Sequence, residues 1–537
     1  MTDPRDDQFR PDDQFRPQRD GDDEIDLTHP SSPSMPTPAI DPFAAGNVID
    51  EEAAPAPRQP RGVKGTLLVS ARLLTAVAGA AVAAAVIAAA ALVPIPSVVS
   101  EPPSVRVTPV ADAQSRVCPG PLLRLGDETG AQATTASALG EPTITSASSG
   151  GRISSAPATA LDGADSGARI LSLPADSDGD QPLFAGSQFQ SVARGDFVGS
   201  AAAECGEAKD DAWLVGGATT TGRTTLLVIV NPGDVSATVD VSVFSETGSV
   251  TAPGATGIAI PAGGERVFSV AGLAPGLQSP VLRVQSTGAR VVATLQQMTV
   301  RTLTPGGVDI VTPAAAPSTE VIIPALPMLD HDALEAAVLG EEFLDLNTVL
   351  RFFVPGAELA HATITMTRVT SDGRNGEPVD IDVTLDAGVV TELLIGEFEE
   401  GTYSARITAD VPLVAGARVS TVGSTGATDF VWLPAVSAVA DETLLAVAEG
   451  DNPVVYLVNP AESAAEFAME DADSGTRTSV TIPAGGARSI PVDGGTTWQL
   501  TGFEQLHVSV GYSGDGTISG QTVNPRAAGS SPITVYP

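Results

Sequence analysis

Two copies of the tripeptide Asp-Ser-Gly, at Asp165-Ser166-Gly167 and Asp473-Ser474-Gly475, pose the first chemical question of this sequence. Loops of this kind brought face to face can share one proton between two carboxylates, as in aspartic proteases. That chemistry needs each loop to leave a buried strand. The flanks here, LDGADSGAR and MEDADSGTR, are polar and turn-forming, so both are expected as ordinary turns. A second candidate is ADSDGDQ, in which Asp176, Asp178 and Asp180 alternate like the first ligands of a calcium loop. Gln181 stands where such a loop needs glycine, and Ser187 where it needs a bidentate Glu, so a solvated acidic loop with at most weak calcium binding is expected.

The four histidines, His29, His331, His361 and His507, are too few and too scattered for a His-rich zinc site. His331 lies in LDHDALE beside Asp330, Asp332 and Glu335, a pattern expected on a helix surface. No G-x-S-x-G elbow and no lone cysteine with a histidine partner is present. The sequence therefore assigns no catalytic residue, no metal ligand and no cofactor site. Sugar recognition calls for exposed aromatic platforms, and the chain has three Trp and four Tyr. Trp213 and Trp432 sit among apolar residues and are expected in cores; Trp498 and Tyr512 are the better candidates for exposed rings.

The elements that must position these residues follow from bulk properties. A chain of 537 residues exceeds one ordinary core and suggests several domains. Aromatics are only 4%, so those cores must be built from Val, Ile, Leu and Ala. The net charge of -37 argues against nucleic acid, whose phosphates need clustered Lys and Arg. It suits a soluble exposed surface instead.

From Leu73 to Val93 the run LLTAVAGAAVAAAVIAAAALV holds 21 residues without a charge, enough to span a bilayer. Arg58, Arg61, Lys64 and Arg72 precede it and Glu101 is the next charge after it, which places the N-terminus in the cytoplasm by the positive-inside rule. The rival reading, a cleaved signal peptide, would need a charged region more than 60 residues long. The expected localisation is a plasma membrane, single-pass, with the C-terminal region extracytoplasmic. Cys118 and Cys205 both follow the span, where an oxidising compartment permits a disulfide.

Residues 1–64 are acidic and Pro-rich, with DDQFRP in tandem at 6–11 and 12–17, and read as a disordered cytoplasmic tail. Phe9-Arg10 and Phe15-Arg16 in identical settings make either a short docking motif or a duplicated piece of linker, and the composition favours the linker. Residues 65–97 hold the transmembrane helix and its flanks. Residues 98–208 read as a membrane-proximal irregular β region tied by the two cysteines.

Beyond this point Val, Ile and Thr alternate between turn formers at short spacing. TLLVIVNPGD, ATVDVSVF and GIAIPAGGERVFSV (225–270) recur as VVYLVNPAE, AAEFAMED and VTIPAGGARSIPV (454–492), with a looser version at 348–423. Trp213, Ile323 and Trp432 precede the three copies, 110 and 109 residues apart by subtraction. Domains of that size predict three β modules, 209–313, 314–428 with a helical insertion at 329–345, and 429–537. In ATVDVSVF, Val239, Val241 and Val243 should point inward with Asp240 and Ser242 outward. The shared pentapeptide IPAGG suits a type I turn with Pro at its second position. VNP also recurs out of frame at 523–525. The fold class expected is mainly β: three tandem immunoglobulin-like β-sandwich modules outside the membrane, one transmembrane helix and a disordered N-terminal tail.

The acidic tail, the single span, VCPGP (117–121), AAAECG (201–206), AWLVGG (212–217) and LVIVNPGD (227–234) together resemble an uncharacterised family of actinobacterial single-pass cell-envelope proteins, a domain of unknown function. The resemblance is strongest over roughly residues 100–300. It implies an exported, membrane-tethered protein without an assigned activity, associated with envelope glycopolymer assembly. The function expected is a non-enzymatic scaffold contacting envelope proteins or glycans. The alternative is a carbohydrate-binding or carbohydrate-modifying envelope protein.

Overall fold

The computed structural model describes residues 113–126, 136–161, 167–175, 181–329, 331–338, 341–396, 398–440 and 442–526, with short pieces at 78–79, 81–82, 105–107 and 533–535. The chain divides into two compact units, residues 1–100 and 101–537. The tail (1–64) and nearly all of the span Leu73–Val93 lie outside the described residues; the four of the span that are described, including Val82, are helical and exposed. Among the described residues no helix is long and apolar enough to cross a membrane.

The second unit is mainly β. In module 1 the alternation of ATVDVSVF appears as expected, with Val239, Val241 and Val243 buried and Asp240 exposed. Each of modules 1 to 3 places its strands in two sheets in one order. In module 1 the first sheet runs Asp211–Val215, Val281–Thr287, Ala237–Ser245, Ile258–Ile260. The second runs Thr304–Val311, Val292–Arg301, Arg223–Val230, Gly264–Ser269. Module 3 repeats both sheets with Thr443–Ala446, Thr497–Thr501, Ala465–Asp471, Arg477–Ile482 and Thr517–Val523, Gln505–Gly514, Val454–Val458, Ala487–Pro491. In module 2 one long bent strand, Gly401–Val422, serves both sheets, which therefore merge. The insertion forms a short helix, His331–Ala337, and a turn of 3-10 helix, Glu341–Leu346.

Where the sequence suggests an irregular β region, the structure carries a shortened fourth copy. Gln114–Cys118, Arg169–Leu173 and Ser154–Pro157 make its first sheet, and Phe197–Glu204, Phe184–Arg194 and Thr143–Ser148 its second. In the N-terminal unit and in modules 1 and 2 the chain returns after the last strand to bridge the first strand of its own unit, at Val117–Gly206, Trp213–Ala314 and Ile322–Val436. That shared bridge sets the boundaries. Trp432 lies in the last strand of module 2, Thr428–Pro434, so it is not the counterpart of Trp213, and module 2 runs past residue 428.

IPAGG and VNP prove to be one device. Asn231 Nδ2 donates to the carbonyls of Val235 and Ile260, and Asn459 Nδ2 to those of Ser463, Ile482 and Pro483. Each side chain thus stitches the loop after one strand to the IPAGG turn. The turn differs from expectation by one position. Its closing bond runs from Gly264 N to Pro261 O, and from Gly486 N to Pro483 O, which puts Pro first and Gly263 (φ 65) or Gly485 (φ 61) third. A positive φ at the third position is the requirement of a type II turn, which explains the glycine. Asn231→Ala is expected to lose about 2 to 3 kcal/mol in a urea unfolding titration, because the buried carbonyl of Ile260 and the Gly233 N–H lose their partner.

The four units pack in a closed ring, first sheet of one against second sheet of the next. Val117 and Ala158 meet Leu226 and Val228 of module 1; Trp213 and Val281 meet Phe353 and Val390 of module 2; Ile322 and Val369 meet Val458 and Ala487 of module 3. Phe189 and Ala202 of the N-terminal unit join the core of module 3 and close the circle. The four last strands, Phe197–Glu204, Thr304–Val311, Thr428–Pro434 and Thr517–Val523, come together in the middle. There the fully buried Asp429 accepts the N–H groups of Ser200 (2.9 Å), Val308 (3.1 Å) and Ile518 (3.2 Å), one from each of the other units. Gly199 and Gly307 make room for it, since a Cβ at either would lie 2.5 or 2.6 Å from Asp429 Oδ1.

Asp309, in the last strand of module 1, is also fully buried, with Oδ2 accepting the Trp432 N–H and Oδ1 unpartnered. Burial pushes its carboxyl up to about 8, outweighing the lowering effect of the backbone N–H groups of Trp432 and Ile310. A carboxyl whose folded pKa is raised contributes stability that is full below about pH 4 and lost as pH climbs through 8. Asp309→Asn keeps the acceptor for Trp432 and abolishes that loss. Urea titrations at pH 5 and pH 9 should show the variant gaining on the parent at the higher pH; an equal pH response of the two proteins would refute the assignment.

Candidate functional site

The linker between the N-terminal unit and module 1, GEAKDDA, carries four charges in a row of seven residues and cannot bury itself in a sheet. It runs instead along a cleft of about 220 Å³ at one end of the ring's centre, where the N-terminal unit, module 1 and module 3 meet. Ala208, Val291, Val292, Ala293 and Pro313 give the cleft apolar walls, and Arg116, Glu204, Glu207, Lys209, Arg290 and Asn524 give it polar groups. Such a concavity between domains, apolar with a few converging polar side chains, is the form that small-ligand sites take.

Glu204 ends the last strand of the N-terminal unit and Arg116 lies on the first, two residues before Cys118. The disulfide Cys118–Cys205 holds the two strand ends together with Cα atoms 4.0 Å apart. Arg116 is almost wholly buried and pairs with Glu207 at 2.9 Å and, more loosely, with Glu204 at 3.4 Å. The other oxygen of Glu204 accepts Asn524 Nδ2 at 2.7 Å, and Thr522 Oγ1 donates to it at 3.4 Å. Thr522 in turn meets Thr312 at 3.1 Å. Glu204, Thr312 and Thr522 therefore bring together three last strands, a second polar layer beneath the cleft. Burial pushes the Glu204 carboxyl up from its usual range, against the lowering effects of Arg116 and Asn524.

Among the described residues the lining contains carboxylates, guanidinium groups, the Lys209 amine, an amide and threonine hydroxyls, and no Ser, Cys or His. What this set can do chemically is hydrogen-bond a small polar molecule. Among the described residues no aromatic ring lines the cleft.

Of the residues singled out in the sequence, Cys118 and Cys205 alone belong to this neighbourhood. Asp473-Ser474-Gly475 is an exposed turn, its amides capped by Asp471 and Gly475 at φ 68. Asp165, Ser166, Asp176, Asp178, Asp180, His29, Phe9, Arg10, Phe15 and Arg16 lie outside the described residues. His331 opens the inserted helix; exposed His361 faces Thr384; half-buried His507 faces the Val436 carbonyl, and burial lowers its pKa. Among the described residues no group of three His, Cys, Asp or Glu side chains is placed to hold a metal ion.

Trp213 and Trp432 are both buried, Trp432 under the guanidinium of the fully buried Arg351 at 4.3 Å. Tyr512, expected as an exposed ring, is instead core: its hydroxyl donates to Gln521 and accepts the Ala448 N–H. Trp498 is half-buried, with its indole N–H on Thr496. Arg116, Glu204 and Asn524 went unnoticed in the sequence, although two signals point to them. A single carboxylate ends the small-residue run SAAAE, and Asn524 belongs to the VNP that falls out of frame.

No curated protein matches the chain. The model of a family of unknown function matches residues 159–500, from the N-terminal unit into the sheets of module 3. Because that match covers more than half of the chain, the protein belongs to the family of unknown function DUF5719.

Proposed function

We propose that this protein is a membrane-anchored, extracytoplasmic, non-enzymatic scaffold of an actinobacterial cell envelope, accessory to envelope glycopolymer assembly. In this reading residues 73–93 span the plasma membrane, residues 1–64 are the disordered cytoplasmic tail, and each β module is an immunoglobulin-like sandwich. The observation that carries the reading is the inward direction of the polar chemistry. Asp429, Arg351 and the carboxyl of Glu204 are used to bind one unit to another, which makes a stiff body whose loops and strand edges are left for contacts. The disulfide is consistent with an oxidising compartment.

A second reading, a carbohydrate-binding or carbohydrate-modifying protein, draws on the cleft beside Glu204 and Asn524, whose carboxylate, amide and guanidinium groups suit hydroxyl-rich ligands. Crosslinking in intact cells, followed by identification of the captured molecules, separates the two. Envelope proteins captured on strand edges support the scaffold; recovery of lipid alone removes it. Hydrolysis or transfer of an envelope glycan by the purified protein would replace it with the second reading.

A further inference from the structure

In modules 1, 2 and 3 the third strand of the second sheet is covered on its outer edge by a fourth, Gly264–Ser269, Val390–Leu394 or Ala487–Pro491. Each covering strand also meets the unit before it. Gly264 and Glu265 pair with Thr159 and Ala160; Val390 packs in one cluster with Trp213 and Val281; Ser489 N donates to Thr370 O, and Asn375 bonds both backbone groups of Ala487. At the fourth junction, where module 3 packs on the N-terminal unit, the equivalent strand Thr143–Ser148 pairs only with Phe184–Arg194 among the described residues and ends its sheet. The turn 471–476 of module 3, the counterpart of the Thr370–Asn375 loop, bonds only within module 3 among the described residues.

The exposed edge lacks the usual protection. Unpaired edge strands are normally guarded by charges, Pro or bulges. Val379–Leu385 carries Asp380 and Asp382, and Arg477–Ile482 carries Arg477, whereas Thr143–Ser148 reads TITSAS, β-prone and uncharged, and pairs without a register shift.

We propose that Thr143–Ser148 accepts an extended, basic segment of a separate polypeptide, which adds a fourth strand to this sheet and supplies the missing clasp between module 3 and the N-terminal unit. Three internal precedents give the geometry. Charge gives the sign: the protein carries -37, and Glu141 and Asp473 are exposed on the two segments that flank the gap. Main-chain hydrogen bonds supply affinity in strand addition, and alternate side chains supply selectivity. This inference rests on the scaffold reading and gives it one surface.

The test uses the full chain and a labelled peptide of the protein's own covering strand, PAGGARSIP (483–491), with a scrambled peptide as control. Hydrogen exchange should find the outward-facing amides of 143–148, those not bonded to Phe184–Arg194, fast in the free protein and protected by the peptide. Ser146→Lys, at an exposed edge residue that can carry a charge without disturbing the core, should weaken peptide binding roughly tenfold. Outward-facing amides of 143–148 already protected in the free protein, equal binding of the scrambled peptide, or binding indifferent to Ser146→Lys would each overturn the proposal. Crosslinks in cells that map elsewhere and survive Ser146→Lys would overturn this surface while leaving the scaffold reading in place.

Discussion

Asp429→Ala should be among the most damaging single substitutions in this protein, costing about 3 to 5 kcal/mol of stability in urea unfolding. The side chain is the one acceptor for amides from three other units, at Ser200, Val308 and Ile518, and all of them lie in the closed centre of the ring. Alanine leaves those donors buried without a partner, and each such orphan costs about 1 to 3 kcal/mol. Gly199 and Gly307 make the loss harder to repair, because the space shaped around the carboxylate has no side chain that can swing into it. Asp429→Asn, which keeps one acceptor oxygen, should lose less. Burial raises the Asp429 carboxyl well above its ordinary range despite those amides, so its value is structural and depends on geometry more than on charge. If Asp429→Ala unfolds at the same urea concentration as the parent, these three hydrogen bonds do not hold the centre of the ring together.

The second large effect is expected from the disulfide. Reduction, or Cys118→Ser with Cys205→Ser, releases a closure spanning 87 residues, for which the chain-entropy argument gives about 4 kcal/mol. The cost should fall on one place first. Cys118 and Cys205 join the first and last strands of the N-terminal unit, whose sheets have three strands each and whose core holds fewer large side chains than those of modules 1 to 3. Hydrogen exchange of the reduced protein should therefore rise in residues 113–206 before it rises in module 1. The cleft should loosen with it, because Arg116 and Glu204 are neighbours of the two cysteines along the chain. Uniform loosening of all four units would contradict this order.

The repeated β modules were legible because local chemistry specifies them. Alternation in ATVDVSVF sets one face of a strand, and the two VNP and IPAGG pairs mark equivalent loops. Even so, the turn was misplaced by one residue, since both frames of Ile-Pro-Ala-Gly-Gly satisfy turn statistics and only the bond from Gly264 to Pro261 distinguishes them. The N-terminal copy escaped because its strands are made of Ser, Ala and Thr, as in TITSAS and SSAP, and such residues carry little hydrophobic contrast. Trp432 misled for the opposite reason. A tryptophan in an apolar run looks like an anchor at any strand position, and its place in the last strand of module 2 shows only in the pairing of Thr428–Pro434 with Gly401–Val422, where Trp432 faces Arg418.

The sequence by itself determined the β class, the presence of a repeat and the chemistry available, because strand periodicity and turn residues act within a few neighbours along the chain. It also marked Cys118 and Cys205 as a pair. The closure of four units into a ring, the meeting of Asp429 with three foreign amides and the cleft of Arg116, Glu204 and Asn524 were decided only by tertiary structure. Those contacts join residues separated by up to 320 positions, as Glu204 and Asn524 are. A lone carboxylate in an apolar run shows in the sequence that something must satisfy it. Which amide or guanidinium does so depends on how whole sheets stack, and no local pattern records that.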